Sequence, residues 1–215
     1  MKKTLYSLML DEDIVREIDI LARRSGVTRS GLINEILADY VQVMTPERRI
    51  NQVLQEVEQL LMPSRQLIPY LPPNSMSMSM KSSLAYKYRP TVKYEVELYR
   101  TRGIDSGSLS VVFRTQSAQL IDDMTQFFVL WKQIEDHWFT ARGMQPRQYE
   151  LYRGKFVRSI SMEEDTLSTQ DAAQAIADYV QTFDTLMKAW LAGSCTPKQV
   201  MQQYDAAMES QSVIL

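Results

Sequence analysis

Between residues 3 and 10 the chain alternates with a period of two, and neither Gly nor Pro interrupts it. Tyr6, Leu8 and Leu10 fall on one side of a strand, and Lys3, Leu5, Ser7 and Met9 on the other. At Asp11 the period changes. Asp11 reads as a helix N-cap, with Glu12 and Asp13 set favourably against the helix dipole. Ile14, Val15, Ile18, Leu21 and Ala22 then recur at the spacing of one helical face. Arg23 and Arg24 occupy the last turn, and Gly26 suits a left-handed cap. Thr28 opens a second helix whose apolar side is Leu32, Ile33, Ile36, Leu37, Tyr40 and Val41.

A strand and two helices in about 40 residues cannot bury an adequate core alone. Pairing with a second copy solves this. Two strands would form an antiparallel ribbon over four helices, with Tyr6, Leu8, Leu10, Ile14, Ile18, Leu32, Ile33 and Ile36 as the dimer core. The run Leu21-Ala22-Arg23-Arg24-Ser25-Gly26-Val27-Thr28-Arg29-Ser30, followed by Leu32 and Ile33, resembles the ribbon-helix-helix (MetJ/Arc-type) DNA-binding family. Leu10, Ile14, Ile18 and Asp19 also fall where that family's pattern expects them.

The resemblance covers residues 3–43 and implies a β-ribbon in the major groove of double-stranded DNA. Lys3, Leu5, Ser7 and Met9 would face the bases, while Lys2, Thr28, Arg29 and Ser30 would meet phosphates. One departure stands out. The family usually places polar or basic residues on the groove side, and Leu5 and Met9 are apolar. Such groups contact thymine methyls but make no bidentate hydrogen bonds to bases. Either readout leans on Ser7, thymines and DNA shape, or the module serves mainly to dimerise.

Thr45-Pro46-Glu47 starts a third helix with Pro at its first position. Ile50, Val53, Leu54, Val57, Leu60 and Leu61 line one side of it, either extending a dimer interface or docking on the following domain. Residues 63–83 contain Pro63, Pro69, Pro72 and Pro73, then three Ser-Met repeats, and read as a linker with room for a short edge strand.

From Tyr86 the period is two again. Tyr86, Tyr88, Val92, Tyr94, Val96 and Leu98 share one face, and Lys87, Arg89, Lys93, Glu95 and Glu97 share the other. A turn at Gly103, Asp105, Ser106 and Gly107 leads to Leu109, Val111 and Phe113. A long helix follows over 116–139. Glu97-Leu98-Tyr99-Arg100 recurs as Glu150-Leu151-Tyr152-Arg153, and the helix start Ala118-Gln119 recurs as Ala173-Gln174. This predicts a duplicated strand-strand-helix unit, near 92–139 and 148–192, building a four-stranded sheet. A last helix runs over 197–208. The row of Lys87, Arg89 and Lys93 beside tyrosines has the composition of a single-strand-binding surface. Glu95 and Glu97 on the same face favour an ordinary solvated one.

The fold class expected is therefore α+β. A dimeric ribbon-helix-helix module (1–44) precedes a connector helix (45–62), a linker (63–83) and an α+β regulatory or assembly domain (84–215). Net charge is −2, so any DNA-binding surface must be local. One cysteine, Cys195, and one histidine, His137, leave no ligand set for a metal, and no cofactor motif appears. Carboxylate neighbours such as Asp122/Asp123 and Glu163/Glu164 do not converge. An enzyme is not expected. No apolar run is long enough for a membrane span, and acidic residues interrupt any signal peptide, which predicts a cytoplasmic protein without membrane partners.

Two functions follow. The first is a sequence-specific DNA-binding transcriptional regulator, a repressor acting as a homodimer or higher assembly, with a small-molecule or protein effector at the C-terminal domain. The second is an interaction protein of antitoxin or plasmid-partition type, whose N-terminal module mainly dimerises.

Overall fold

Two units divide the chain, one reaching Arg48 and the other running from Arg49. The computed structural model describes residues 4–72, 75–86, 89–100, 106–162, 167–211, 213 and 215. Expectations resting on Lys2, Lys3, Pro73, Lys87, Tyr88, Gly103, Asp105, Glu163 and Glu164 lie outside these residues.

The first unit holds α1 (Glu12–Ser25) and α2 (Arg29–Tyr40). Glu12 and Asp13 sit in the first turn of α1 and Arg23 and Arg24 in its last, as the helix dipole favours. Gly26 ends the helix at φ 66°, where a side chain would strain the backbone. The Val27 N–H, bonded to the Ala22 carbonyl at 3.0 Å, completes the cap. Thr28 starts α2, its hydroxyl accepting from the Gly31 N–H at 3.2 Å.

The second unit begins within α3 (Pro46–Leu61), and β1 (Leu67–Tyr70) and β2 (Ser77–Ser83) follow. Next come β3 (Thr91–Leu98), β4 (Gly107–Phe113) and α4 (Ala118–Ala141). Then β5 (Tyr149–Tyr152), β6 (Lys155–Ile160), α5 (Thr169–Leu191) and α6 (Pro197–Glu209) complete the chain. The strands form one six-stranded sheet, ordered β1-β2-β3-β4-β6-β5, with every neighbouring pair antiparallel. The fold is thus α+β.

Three expectations need correction. Residues 63–83 are not a linker, because they supply two strands of the sheet. The Ser-Met alternation is a strand pattern in which Met78 and Met80 are buried and Ser77 is exposed. Pro69 cannot donate to a ladder, which suits the edge position of β1, while β2 lies inside the sheet. The sheet consequently has six strands rather than four. Finally, Arg89 does not continue β3. It stands at φ 43° in a turn closed by the Leu84 N–H on the Pro90 carbonyl, so its expected alignment with Lys93 is broken.

One face of the sheet is buried. Leu67, Met78, Met80, Val92, Tyr94, Val96, Leu98, Leu109, Val111, Phe113, Phe156 and Ile160 join residues of α3, α4, α5 and α6 in a single hydrophobic cluster. The connector helix belongs to this core through Ile50, Val53, Leu54, Val57 and Leu61, so the docking alternative describes it. Phe183 on α5 is the aromatic hub. Its ring centroid lies 4.8 Å from Trp131, 5.3 Å from Phe127 and 5.6 Å from Phe156. Gly107 lets β3 and β4 close up, since a Cβ there would stand 2.3 Å from the Glu97 carbonyl oxygen.

Candidate nucleic-acid interface

The first unit has almost no interior. Its buried residues are Ala22, Ala38 and Thr45, none of them large. Residues 4–10 form neither helix nor strand within the chain. Leu5 and Met9 are fully exposed at 96% and 101%, and Tyr6, Leu8 and Leu10 are exposed as well. Of the expected dimer core, Ile14 and Ile36 are exposed, while Ile18, Leu32 and Ile33 are only partly buried. These residues gather on a 48-residue unit whose apolar positions have no cover of their own.

At the other end of the expected site, the turn between α1 and α2 presents Thr28, Arg29 and Ser30, all exposed. The Thr28 and Ser30 hydroxyls lie 3.4 Å apart. The first-turn amides of α2 have no intrahelical acceptor apart from the Thr28 cap. No acidic residue occupies that turn, in contrast to α1, so the positive end of the helix dipole is uncompensated. An oxyanion would fit there.

Arg29 departs from its expected role. Its Nε donates to Asp19 Oδ1 and its Nη2 to Asp19 Oδ2, each at 2.5 Å. The planar fork matches the carboxylate edge, which is the strongest geometry open to such a pair. The hydrogen bonds from Arg29 hold the Asp19 carboxyl below its ordinary range, and the same contact raises Arg29. Arg29 therefore pins α2 to α1 and is not a free phosphate ligand. Nothing in the turn signature reveals this, because the partner lies ten residues upstream.

The second unit holds polar groups that the sequence reading did not single out. Glu135 and Arg158 are buried at 0% and 1% exposure. Arg158 Nε bonds both Glu135 oxygens at 3.1 Å. Tyr149 and Tyr204 donate to the same carboxylate at 2.9 and 3.2 Å. Tyr94 and Lys188 similarly share Asp184, at 2.9 and 2.6 Å. Desolvation, then the adjacent Glu135, pushes Tyr149, Tyr179 and Tyr204 above the usual tyrosine range. Desolvation and Asp184 do the same to Tyr94. Arg158 was detectable, since it keeps phase with the core residues Phe156 and Ile160 in a six-residue strand. These groups are enclosed and fully partnered, and they serve the core.

His137 is exposed on α4 and Cys195 half-buried before α6. Among the described residues, no group of three or more His, Cys, Asp or Glu gathers, and no helix is long and apolar enough to cross a membrane. Comparison with protein-family models, with curated proteins and with solved structures finds no match for this chain.

Proposed function

We propose that this chain is a dimeric, sequence-specific double-stranded DNA-binding regulator of the repressor type, reading the major groove through a ribbon built from residues 4–10 of two copies. One observation carries the reading: the first unit exposes the side chains a dimer would bury, from Tyr6, Leu8 and Leu10 to Ile14 and Ile36. An apolar surface of this extent marks an interface. Leu5, Ser7 and Met9 then face the groove, and the uncapped amides of α2, with Thr28 and Ser30, take a phosphate. With a net charge of −2, attraction to DNA must come from local groups such as these rather than from the chain as a whole. The second unit acts as the assembly or effector domain, and its β3-β4-α4 and β5-β6-α5 succession supports a duplicated origin.

A second reading is an adaptor protein of antitoxin or plasmid-partition type, in which the module only dimerises. Two observations favour it: Arg29 is engaged by Asp19, and Leu5 and Met9 are apolar.

Sedimentation of the whole chain combined with selection from a random duplex library separates the readings. The expected result is a dimer that enriches one palindromic sequence. Ser7→Ala should change the preferred bases, and Thr28→Val with Ser30→Ala should weaken all duplexes alike. A dimer with equal, weak affinity for every duplex would leave the adaptor reading. A monomer at assay concentrations would overturn both.

A further inference from the structure

Within the second unit, α3, α4, α5 and α6 pack on the core face of the sheet and no described element of that unit covers the opposite face, whose charges are sorted along the strands. The pairing registers place Ile68, Lys81, Lys93, Val112, Lys155 and Tyr152 side by side in one row crossing all six strands. The next row reads Tyr70, Ser79, Glu95, Ser110, Val157 and Glu150, and Glu97 lies one step further. Positive charge is therefore concentrated toward one end of the sheet and negative charge toward the other. At the basic end, Arg114 follows β4 and joins Arg89 in lining an open cavity of about 1190 Å³.

Lys81 and Lys93 stand directly opposite each other on β2 and β3. Like charges in that relation are destabilising. Lys93 shares a half-exposed pair with Glu95 at 2.5 Å, weak enough in solvent for a phosphate to compete for the ammonium, whereas Lys81 and Lys155 have no ion-pair partner among the described residues. At about 4.8 Å between strands, the row extends across roughly 24 Å. A single small anion cannot engage such a span, but an extended polyanion can. Tyr152, 56% exposed on one edge strand, stands beside Lys155 in the lysine row, and Tyr70, 65% exposed on the other edge strand, lies in the neighbouring row. Serines occupy much of the remaining face and offer hydrogen-bonding groups.

We infer that this open face is a second nucleic-acid site, binding a single strand across the β-strands with its phosphates on Lys81, Lys93 and Lys155 and a base on Tyr152. Phosphate neutralisation supplies the affinity, and ring stacking adds to it without sequence preference. The site lies on the second unit and does not depend on the ribbon reading.

The test uses the whole chain, a labelled oligothymidylate and fluorescence anisotropy over a salt series. The Lys81→Gln, Lys93→Gln, Lys155→Gln triple variant should bind at least about tenfold more weakly, its salt slope smaller by about 2. The corresponding Lys→Arg triple should bind like the parent. Thermal melting checks the fold, and the single changes Lys81→Gln and Lys155→Gln serve if the triple does not fold. Three outcomes would overturn the proposal. The parent chain fails to bind at low salt, the lysine changes leave binding intact, or anionic vesicles bind where the oligonucleotide does not.

Discussion

Arg29 and Asp19 meet in a two-pronged ion pair that ties the start of α2 to the third turn of α1. It links the two helices of a unit with hardly any core. Arg29 lowers the folded-state pKa of Asp19 beneath the unfolded value near 3.9. The linkage follows in sign: the contribution is present above about pH 4 and is lost as pH falls through the folded value. Protection of the α2 amides, measured against the intrinsic exchange rate at each pH, should fall in acid in the parent chain. Asp19→Asn should already exchange faster at neutral pH and lose most of that acid dependence.

Gly26 gives a conformational rather than a packing prediction. A Cβ there meets nothing within 4 Å, yet φ is 66°. Gly26→Ala should therefore cost about 1 kcal/mol through the backbone alone. Thermal unfolding of the chain should register the loss.

In the second unit, Arg158 and Glu135 are buried against each other, and Glu135 also accepts from the Tyr149 and Tyr204 hydroxyls. Removing one partner strands the other charge. Arg158→Met alone should cost about 3–5 kcal/mol in urea unfolding. The joint change Arg158→Met with Glu135→Met should recover much of that loss, since a buried pair contributes little beyond an apolar replacement. A joint variant as unstable as the single one would show that the pair holds the core by more than charge cancellation.

The same burial predicts alkaline behaviour. Tyr94, Tyr149, Tyr179 and Tyr204 all ionise above the usual range because of desolvation and adjacent carboxylates. Above about pH 10 the unfolded chain releases these protons and the folded chain does not. Stability is thus fully present below pH 10 and falls as pH rises beyond it. Tyrosinate absorbance from the buried group should appear together with loss of near-ultraviolet dichroism, in one cooperative step.

The sequence by itself determined much of the helical layout and the caps. Helical periodicity and cap chemistry are local, so Gly26, Thr28 and the Pro46 start could be read from neighbours only a few residues away, whereas Asp11 holds the N-cap position without a side-chain hydrogen bond. The alternation over 92–98 and 109–113 likewise located β3 and β4. What lay at long range was decided by tertiary structure. Prolines around the Ser-Met repeats masked β1 and β2, because an edge strand tolerates a proline only where its neighbour supplies the ladder. The Arg29–Asp19 fork, the Arg158–Glu135 pair and the lysine row all join residues whose proximity depends on helix crossing or strand register. Register is a property of paired strands: it set Lys81 against Lys93 and carried the row on to Lys155, 62 residues further along the chain than Lys93.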